Sequence, residues 1–284
     1  MVNDAELSEN TRLPVALTIA GSDSGGNAGI QADLRAFHVF GVHGCTVLAA
    51  LTAQNPLGVR AILMADAEFV AQQMDAVLEA YAVNALKTGM LSSPEVIEAV
   101  ADRLQRQQGV LKVVDPVMVA TSGAKLLQDN AVGILKARLL PLATLITPNL
   151  PEAEVLLGHR ISTRTEMAAA ARALSDSFGC ATLIKGGHGI GVCAEDLLFD
   201  GTALSLFSTP RVDDPLSTHG TGCSLSAAIT AALACGRPLL DAVAEGKAYV
   251  YEAIRTGAYV GEQATVLGTP KRLPLERVRV ESVG

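Results

Sequence analysis

Charged residues are scarce in this chain. They make up 18% of its 284 residues, whereas 49% are hydrophobic. That balance argues against a disordered or coiled chain, and the length suits one large α/β domain with a full core or two small domains. Basic clusters are also missing, and the formal net charge is −7. Without a cationic surface, neither nucleic acid nor anionic membrane is expected as a partner. A nucleotide is not excluded, because a few backbone N–H groups and one Lys can hold a polyphosphate. Long apolar runs are absent: Leu225 to Cys235, near the end, is too short to span a bilayer. Met1 to Asn10 carries Asp4, Glu6 and Glu9 and has neither the basic start nor the apolar stretch of a signal peptide. The cysteines, Cys45, Cys180, Cys193, Cys223 and Cys235, are odd in number, and no two sit at metal-ligand spacing. Disulfide and zinc readings are therefore unsupported, and the expected setting is reducing and cytoplasmic.

What is present is an alternation of strands and helices. Residues 1–12 are polar and read as a frayed segment. Strands are read at Val15 to Ala20, Cys45 to Gln54, Arg60 to Met64, Ala85 to Lys87, Leu111 to Val114, Thr144 to Thr147 and Ala181 to Ile184. Glu195 to Phe199 and Ala203 to Phe207 suggest a hairpin across Asp200-Gly201. Helical spacing marks Ile30 to Val39, Glu68 to Tyr81, Pro94 to Gln107, Ala131 to Leu139, Glu152 to Leu157 and Glu166 to Phe178. Two helices, Thr221 to Ala234 and Leu239 to Arg255, are read as closing the chain. The expectation is an α/β fold: one domain with a parallel sheet covered by helices on both faces, and ligands bound beyond the carboxyl ends of its strands.

Residues able to carry chemistry fall at those ends. His219-Gly220-Thr221-Gly222-Cys223 precedes a helix, where close-approaching N–H groups and the helix dipole would hold a transferred phosphoryl group. The same residues also read as an ordinary Gly-rich helix cap. Cys223 lies in the first helical turn, where the dipole is expected to lower a thiol pKa and supply a base; a small buried apolar residue is the other reading. Lys185-Gly186-Gly187-His188 follows a strand and could reach a phosphate, or be a tight turn with a solvated Lys. Asp115 and the pair Asn149 and Glu152 offer oxygen ligands suited to Mg²⁺ held with nucleotide phosphates. Glu152 also reads as a first-turn acid after Pro151, and Asp115 as a turn residue before Pro116. Gly21 to Gly29 is Gly-rich but lacks the Gly-Lys-Ser/Thr ending of a Walker loop and the spacing of a dinucleotide fingerprint. Asp33 and Gln54, beside apolar Val47, Ala50 and Leu51, would need polar partners, which a planar amino-heterocycle could supply; N-capping and turn bonding within the loop is the other reading.

In order along the chain, Ala20 to Leu34, Thr52-Ala53-Gln54-Asn55, Lys87-Thr88-Gly89-Met90-Leu91, Asp115-Pro116-Val117-Met118, Thr147-Pro148-Asn149, Lys185-Gly186-Gly187-His188 and His219 to Cys223 resemble the hydroxymethylpyrimidine and phosphomethylpyrimidine kinases of thiamin synthesis. The resemblance runs from about residue 14 to 260 and implies a ribokinase-like domain, taken as 13–261, with 262–284 as a tail. It implies a central, mostly parallel sheet, ATP with Mg²⁺ and a homodimer. It also implies a pyrimidine pocket of Gly21, Asp33, Gln54, Met90, Val117 and Cys223, nucleotide contacts from Asn149, Lys185 and Gly187, and a phosphoryl cradle of Gly220, Thr221 and Gly222. The superfamily's Asn-x-x-Glu motif, associated with magnesium and phosphate, lands on Asn149 and Glu152, and Asp115 is the other acid read on the metal side. Cys223 stands where most of the superfamily has Asp, which favours this narrower family. Asn27 stands where Gly is expected. The expected reaction is ATP-dependent phosphorylation of 4-amino-5-hydroxymethyl-2-methylpyrimidine and of its monophosphate. A pyridoxine or pyridoxal kinase and a non-catalytic pyrimidine-binding protein are the alternatives.

Overall fold

A computed structural model describes residues 12–118, 127, 130–187 and 191–283. His188 and most of the segment read as frayed, residues 1–11, lie outside the described residues. The strands in chain order are β1 (Val15–Asp23), β2 (His43–Asn55), β3 (Gly58–Met64), β4 (Ala85–Thr88), β5 (Leu111–Val114), β6 (Leu145–Ile146), β7 (Ala181–Lys185), β8 (Cys193–Phe199), β9 (Leu204–Pro210), β10 (Ala258–Tyr259), β11 (Thr265–Val266) and β12 (Arg279–Val283). The helices are α1 (Gly29–Val39), α2 (Ala67–Ala80), α3 (Pro94–Leu104), α4 (Ala131–Ile134), α5 (Leu150–Leu157), α6 (Arg164–Phe178), α7 (Thr221–Ala234) and α8 (Leu239–Arg255).

One ten-stranded sheet runs in the order β12-β9-β8-β7-β6-β5-β4-β1-β2-β3. The pairs β1–β2, β1–β4, β4–β5, β5–β6 and β6–β7 are parallel, while β2–β3, β7–β8, β8–β9 and β9–β12 are antiparallel. The chain runs outward from β1 to β3 and then returns to the other side of β1 as β4. Strand order reverses at β1, so a crevice opens beyond its carboxyl end. A register shift between Ala20 and Gly21 bends the end of β1 there.

Two apolar layers cover the sheet. α7 lies inside one of them, with every residue from Ser224 to Ala234 buried. Its Ala, Ser and Thr side chains let neighbouring elements approach closely, and a Cβ on Gly246 of α8 would strike Ile229. α5 and α6 each start with a capping box, Asn149 with Glu152 and Thr163 with Glu166, and end on a left-handed Gly.

Three expectations need correction. The helix read to Gln107 ends at Leu104. The helix read over 131–139 is α4 followed by a wide turn with π-type bonding over Leu135–Leu139. The chain is not closed by two helices: β10 and β11 form a ribbon after α8, and β12, inside the segment read as a tail, pairs with β9. The short, charged β12 carries no strong apolar alternation, because its side chains are largely exposed at the sheet edge.

Candidate active site

A cavity of about 480 Å³ lies at the carboxyl ends of the parallel strands. Gly21, Gln54, Met90, Asp115, Val117, Asn149, Glu152, Lys185, Gly187, Gly220, Thr221, Gly222 and Cys223 all line it. The strand ends and the start of α7 thus gather residues as distant in sequence as Gly21 and Cys223. Asp33 is the one sequence-predicted site residue outside this lining.

Asp33 sits on α1 beneath the cavity and is 0% exposed. Its carboxylate accepts from Lys87 Nζ at 3.0 Å and from Thr18 Oγ1 at 2.6 Å. The buried carboxylate expected to seek a ligand therefore already has two protein partners. Burial pushes it above its usual range, against the pull of Lys87 and Thr18. Burial alone would lower the Lys87 amine, but Asp33, Cys223 and Asp115 raise it.

Lys185 is not a solvated turn residue. Its side chain is 14% exposed, and Nζ lies 2.8 Å from Asp115 Oδ1. Asp115 also accepts from Thr147 Oγ1 at 3.3 Å and Ser226 Oγ at 3.4 Å. Glu152 fulfils its helix-cap reading: it accepts from Asn149 N–H at 2.9 Å, and Asn149 Oδ1 accepts from Glu152 N–H at 2.8 Å. The Met118 N–H bonds its other oxygen at 3.4 Å. Burial raises Glu152 to about 7; Lys185 opposes this and Asp115 adds to it. No group of three or more His, Cys, Asp or Glu residues positioned to hold a metal occurs among the described residues.

Gly220 has φ +89°, and a Cβ there would collide with the Asn27 carbonyl, so the turn into α7 requires glycine. The thiol of Cys223 contradicts the sequence expectation. Burial pushes it up to about 11, although Lys87 and the Gly29 N–H work the other way. The helix dipole at an N-terminus is outweighed here by desolvation.

The first loop folds around Asp23, which accepts N–H bonds from Gly25, Asn27 and Ala28 at 2.8–3.0 Å and faces His219 Nε2 at 3.6 Å. Burial would raise Asp23, but His219 and these N–H groups bring it down to about 2. Asn27 Nδ2 donates to the His219 carbonyl at 2.8 Å and to Ser217 Oγ at 3.3 Å, while Asn27 Oδ1 accepts from Leu267 N–H at 3.0 Å. Gln54 meets the His219 ring at 3.0 Å.

Sequence reasoning assigned no role to Lys247 and Asp196. They pair at 2.6 Å, nearly buried, and both line the cavity. Asp196 Oδ1 also accepts from Gly186 N–H at 3.0 Å, which fixes the turn carrying Lys185 and Gly187. A Lys on the otherwise apolar buried face of α8 was the available signal for Lys247, as was a Lys inside the apolar Ala85–Thr88 strand for Lys87.

A cavity at the strand ends, lined by a Lys–Asp pair and the glycine-rich start of α7, on a sheet of this order, defines a ribokinase-like phosphotransferase. Comparison with known proteins narrows that class. The profile of the phosphomethylpyrimidine kinase family matches residues 23–267, and the chain belongs to this family. The hydroxymethylpyrimidine/phosphomethylpyrimidine kinase of Rhizobium meliloti (strain 1021) is 52% identical over 241 residues, covering 84% of this chain and 90% of the relative. Among solved structures, the pyridoxal kinase of Staphylococcus aureus in complex with ADP superposes with TM-score 0.87 at 30% identity, covering 96% of this chain and all of that one. The phosphomethylpyrimidine kinase of Clostridium difficile 630 superposes with TM-score 0.76 at 39% identity, covering 86% and 100%. The backbone is thus shared by both kinds of kinase, while sequence identity favours the pyrimidine kinases. No helix among the described residues is long and apolar enough to cross a membrane.

Proposed function

We propose that this kinase transfers the γ-phosphoryl group of ATP to the hydroxymethyl group of 4-amino-5-hydroxymethyl-2-methylpyrimidine, and then a second phosphoryl group to the monophosphate. The supporting observation is one continuous cavity that joins Gln54, Met90 and Val117 to Lys185, Asp115 and the start of α7. Apolar Met90 and Val117 suit the faces of a flat ring, and the Gln54 amide suits an amino group beside a ring nitrogen. The N–H groups at Gly220, Thr221 and Gly222 would receive the charge that spreads over the transferred phosphoryl oxygens. Lys185 adds a cation on the same side, held in place by Asp115.

Cys223 would take the hydroxyl proton in the first transfer. The second acceptor is a phosphate, already anionic, and needs no base. With the thiol pushed up to about 11, thiolate is scarce near neutral pH. Proton removal would then be coupled to phosphoryl transfer rather than complete before it. Asp115 and Glu152 fit Mg²⁺ through water rather than directly, because their oxygens already hold protein donors. Bound there with the nucleotide, Mg²⁺ would neutralise phosphate charge.

A homodimer is supported by the exposed apolar residues of the β2–β3 hairpin, Leu51, Leu57, Ile62, Leu63 and Met64, and of the first turn of α2, Phe69, which are 40–76% exposed. A cytoplasmic setting is supported by five cysteines that form no disulfide. The pyridoxal alternative draws on the fold likeness to the S. aureus enzyme. Its substrate lacks the 4-amino group and would leave the Gln54 amide incompletely bonded.

ATP turnover by the purified chain, with each substrate in turn, tests the reading. Both pyrimidines should be phosphorylated and pyridoxal poorly so, with activity abolished by excess EDTA and restored by Mg²⁺. Turnover of pyridoxal without the pyrimidines, or full rate in chelator, would overturn it.

A further inference from the structure

His219 touches Gln54 across 165 positions of sequence, and the bond between them decides how the amide is turned. With Gln54 Nε2 toward His219 Nε2 at 3.0 Å and Oε1 toward Thr52 Oγ1 at 3.2 Å, two conflicts arise. The amide nitrogen is a donor only, so His219 Nε2 must be an acceptor. Its lone pair then faces the Asp23 carboxylate 3.6 Å away, with no proton between them. At the other end, the Thr52 hydroxyl has one proton and two acceptors, the Ser22 carbonyl at 2.9 Å and Gln54 Oε1.

A half-turn of the amide exchanges its oxygen and nitrogen without changing its shape. It removes both conflicts. His219 Nε2–H then donates to Gln54 Oε1 with the Asp23 carboxylate beside it. Gln54 Nε2 donates to Thr52 Oγ1, and the Thr52 proton goes to the Ser22 carbonyl. Each bond among His219, Gln54, Thr52 and Ser22 then pairs one proton with one acceptor, as part-buried polar groups favour.

We propose that His219 is a specificity-determining positioning residue: its Nε2–H holds the Gln54 amide in this half-turned arrangement, which fixes the order of donor and acceptor shown to the pyrimidine edge. The proposal rests on the reading of Gln54 as the substrate-facing amide. One lone pair on Oε1 and one proton on Nε2 remain for the ligand, in a set order. A ligand edge with the reverse order meets donor against donor and acceptor against acceptor, the kind of mismatch that discriminates most strongly. Asn27 supports the device by gripping the His219 carbonyl and tying it to the Leu267 backbone.

Two measurements test this. Long-range ¹H–¹⁵N spectra of protein labelled at histidine, at pH 8.5 and assigned with His219→Gln, report which ring nitrogen carries the proton. Nε2–H is expected, and a proton confined to Nδ1 overturns the proposal. The second is the ratio of kcat/KM for the aminopyrimidine to that for its 4-oxo analogue. His219→Leu should reduce this ratio by about tenfold or more, because the released amide can turn to suit either edge. His219→Gln, which keeps a donor at the Nε2 position, should keep the ratio within about threefold of wild type. KM for ATP should stay within about twofold in both variants, since His219 acts through Gln54. An unchanged ratio in His219→Leu overturns the proposal. If the wild-type chain does not phosphorylate the aminopyrimidine at all, the substrate reading fails, and the ring-proton measurement still decides the assignment of His219.

Discussion

Replacing Asp33 by Asn separates a residue that faces substrate from one that holds the floor beneath it. The carboxylate is fully buried, 3.0 Å from Lys87 Nζ, and both side chains are 0% exposed. The amide keeps the shape and can still accept the Thr18 proton, but it cannot balance the Lys87 cation. Breaking a buried pair on one side costs about 3–5 kcal/mol. At roughly 2–4 °C per kcal/mol for a domain of this size, the melting temperature should fall by about 10 °C. Removing both charges in Asp33→Leu with Lys87→Met should recover part of the loss, leaving about 1–3 kcal/mol for the orphaned Thr18 hydroxyl. Thermal and urea unfolding supply these numbers, with KM measured well below the variant's transition. The expectation for Asp33→Asn is a large loss of stability with pyrimidine KM changed less than about threefold. A variant that melts within 2 °C (about 1 kcal/mol) of wild type while pyrimidine KM rises tenfold would refute the burial argument and restore Asp33 to the pocket wall.

Cys223→Ala should slow the first phosphorylation by about 10²–10⁴-fold and largely spare the second; equal slowing of both would make Cys223 a packing residue. In the wild type, the first step should still be gaining rate above pH 9 while the second does not, because the thiol is pushed up to about 11. Asp23, lowered from 3.8 to about 2, contributes stability that is fully present above pH 4 and is lost as the pH falls through 2. By linkage that amounts to about 2 kcal/mol, visible as a falling urea midpoint across this window and flattened in Asp23→Asn. A midpoint independent of pH from 4 to 2 would contradict the loop geometry.

What could be read directly was local. The bounds of α7 and α8 follow from their apolar spacing and from the glycine or proline that precedes each. Asn149, Pro151 and Glu152 state their own cap within four residues. The gathering of Lys185, Asp115 and the Gly220 turn into one cavity was legible because a parallel sheet sends every strand's carboxyl end to the same side.

Three things were not legible. The partner of Asp33 is Lys87, 54 positions away, and only the parallel register that sets Thr18 beside Lys87 brings the three side chains together. Cys223 has the local setting of an activated thiol, yet burial sets its pKa, and burial depends on what packs over the helix start. β12 pairs with β9 through backbone hydrogen bonds, which any side chains can make, so its sequence carries little record of the pairing.

The sequence by itself determined the alternation of strands and helices, the side of the sheet that bears the chemistry and the family to which the chain belongs, since these rest on neighbouring residues and ordered motifs. Only the tertiary structure decided which buried charge is paired, that the Cys223 thiol is raised rather than lowered, and which histidine meets Gln54. Desolvation and hydrogen-bond partnership are set by atoms distant in the chain, and no spacing along it encodes them.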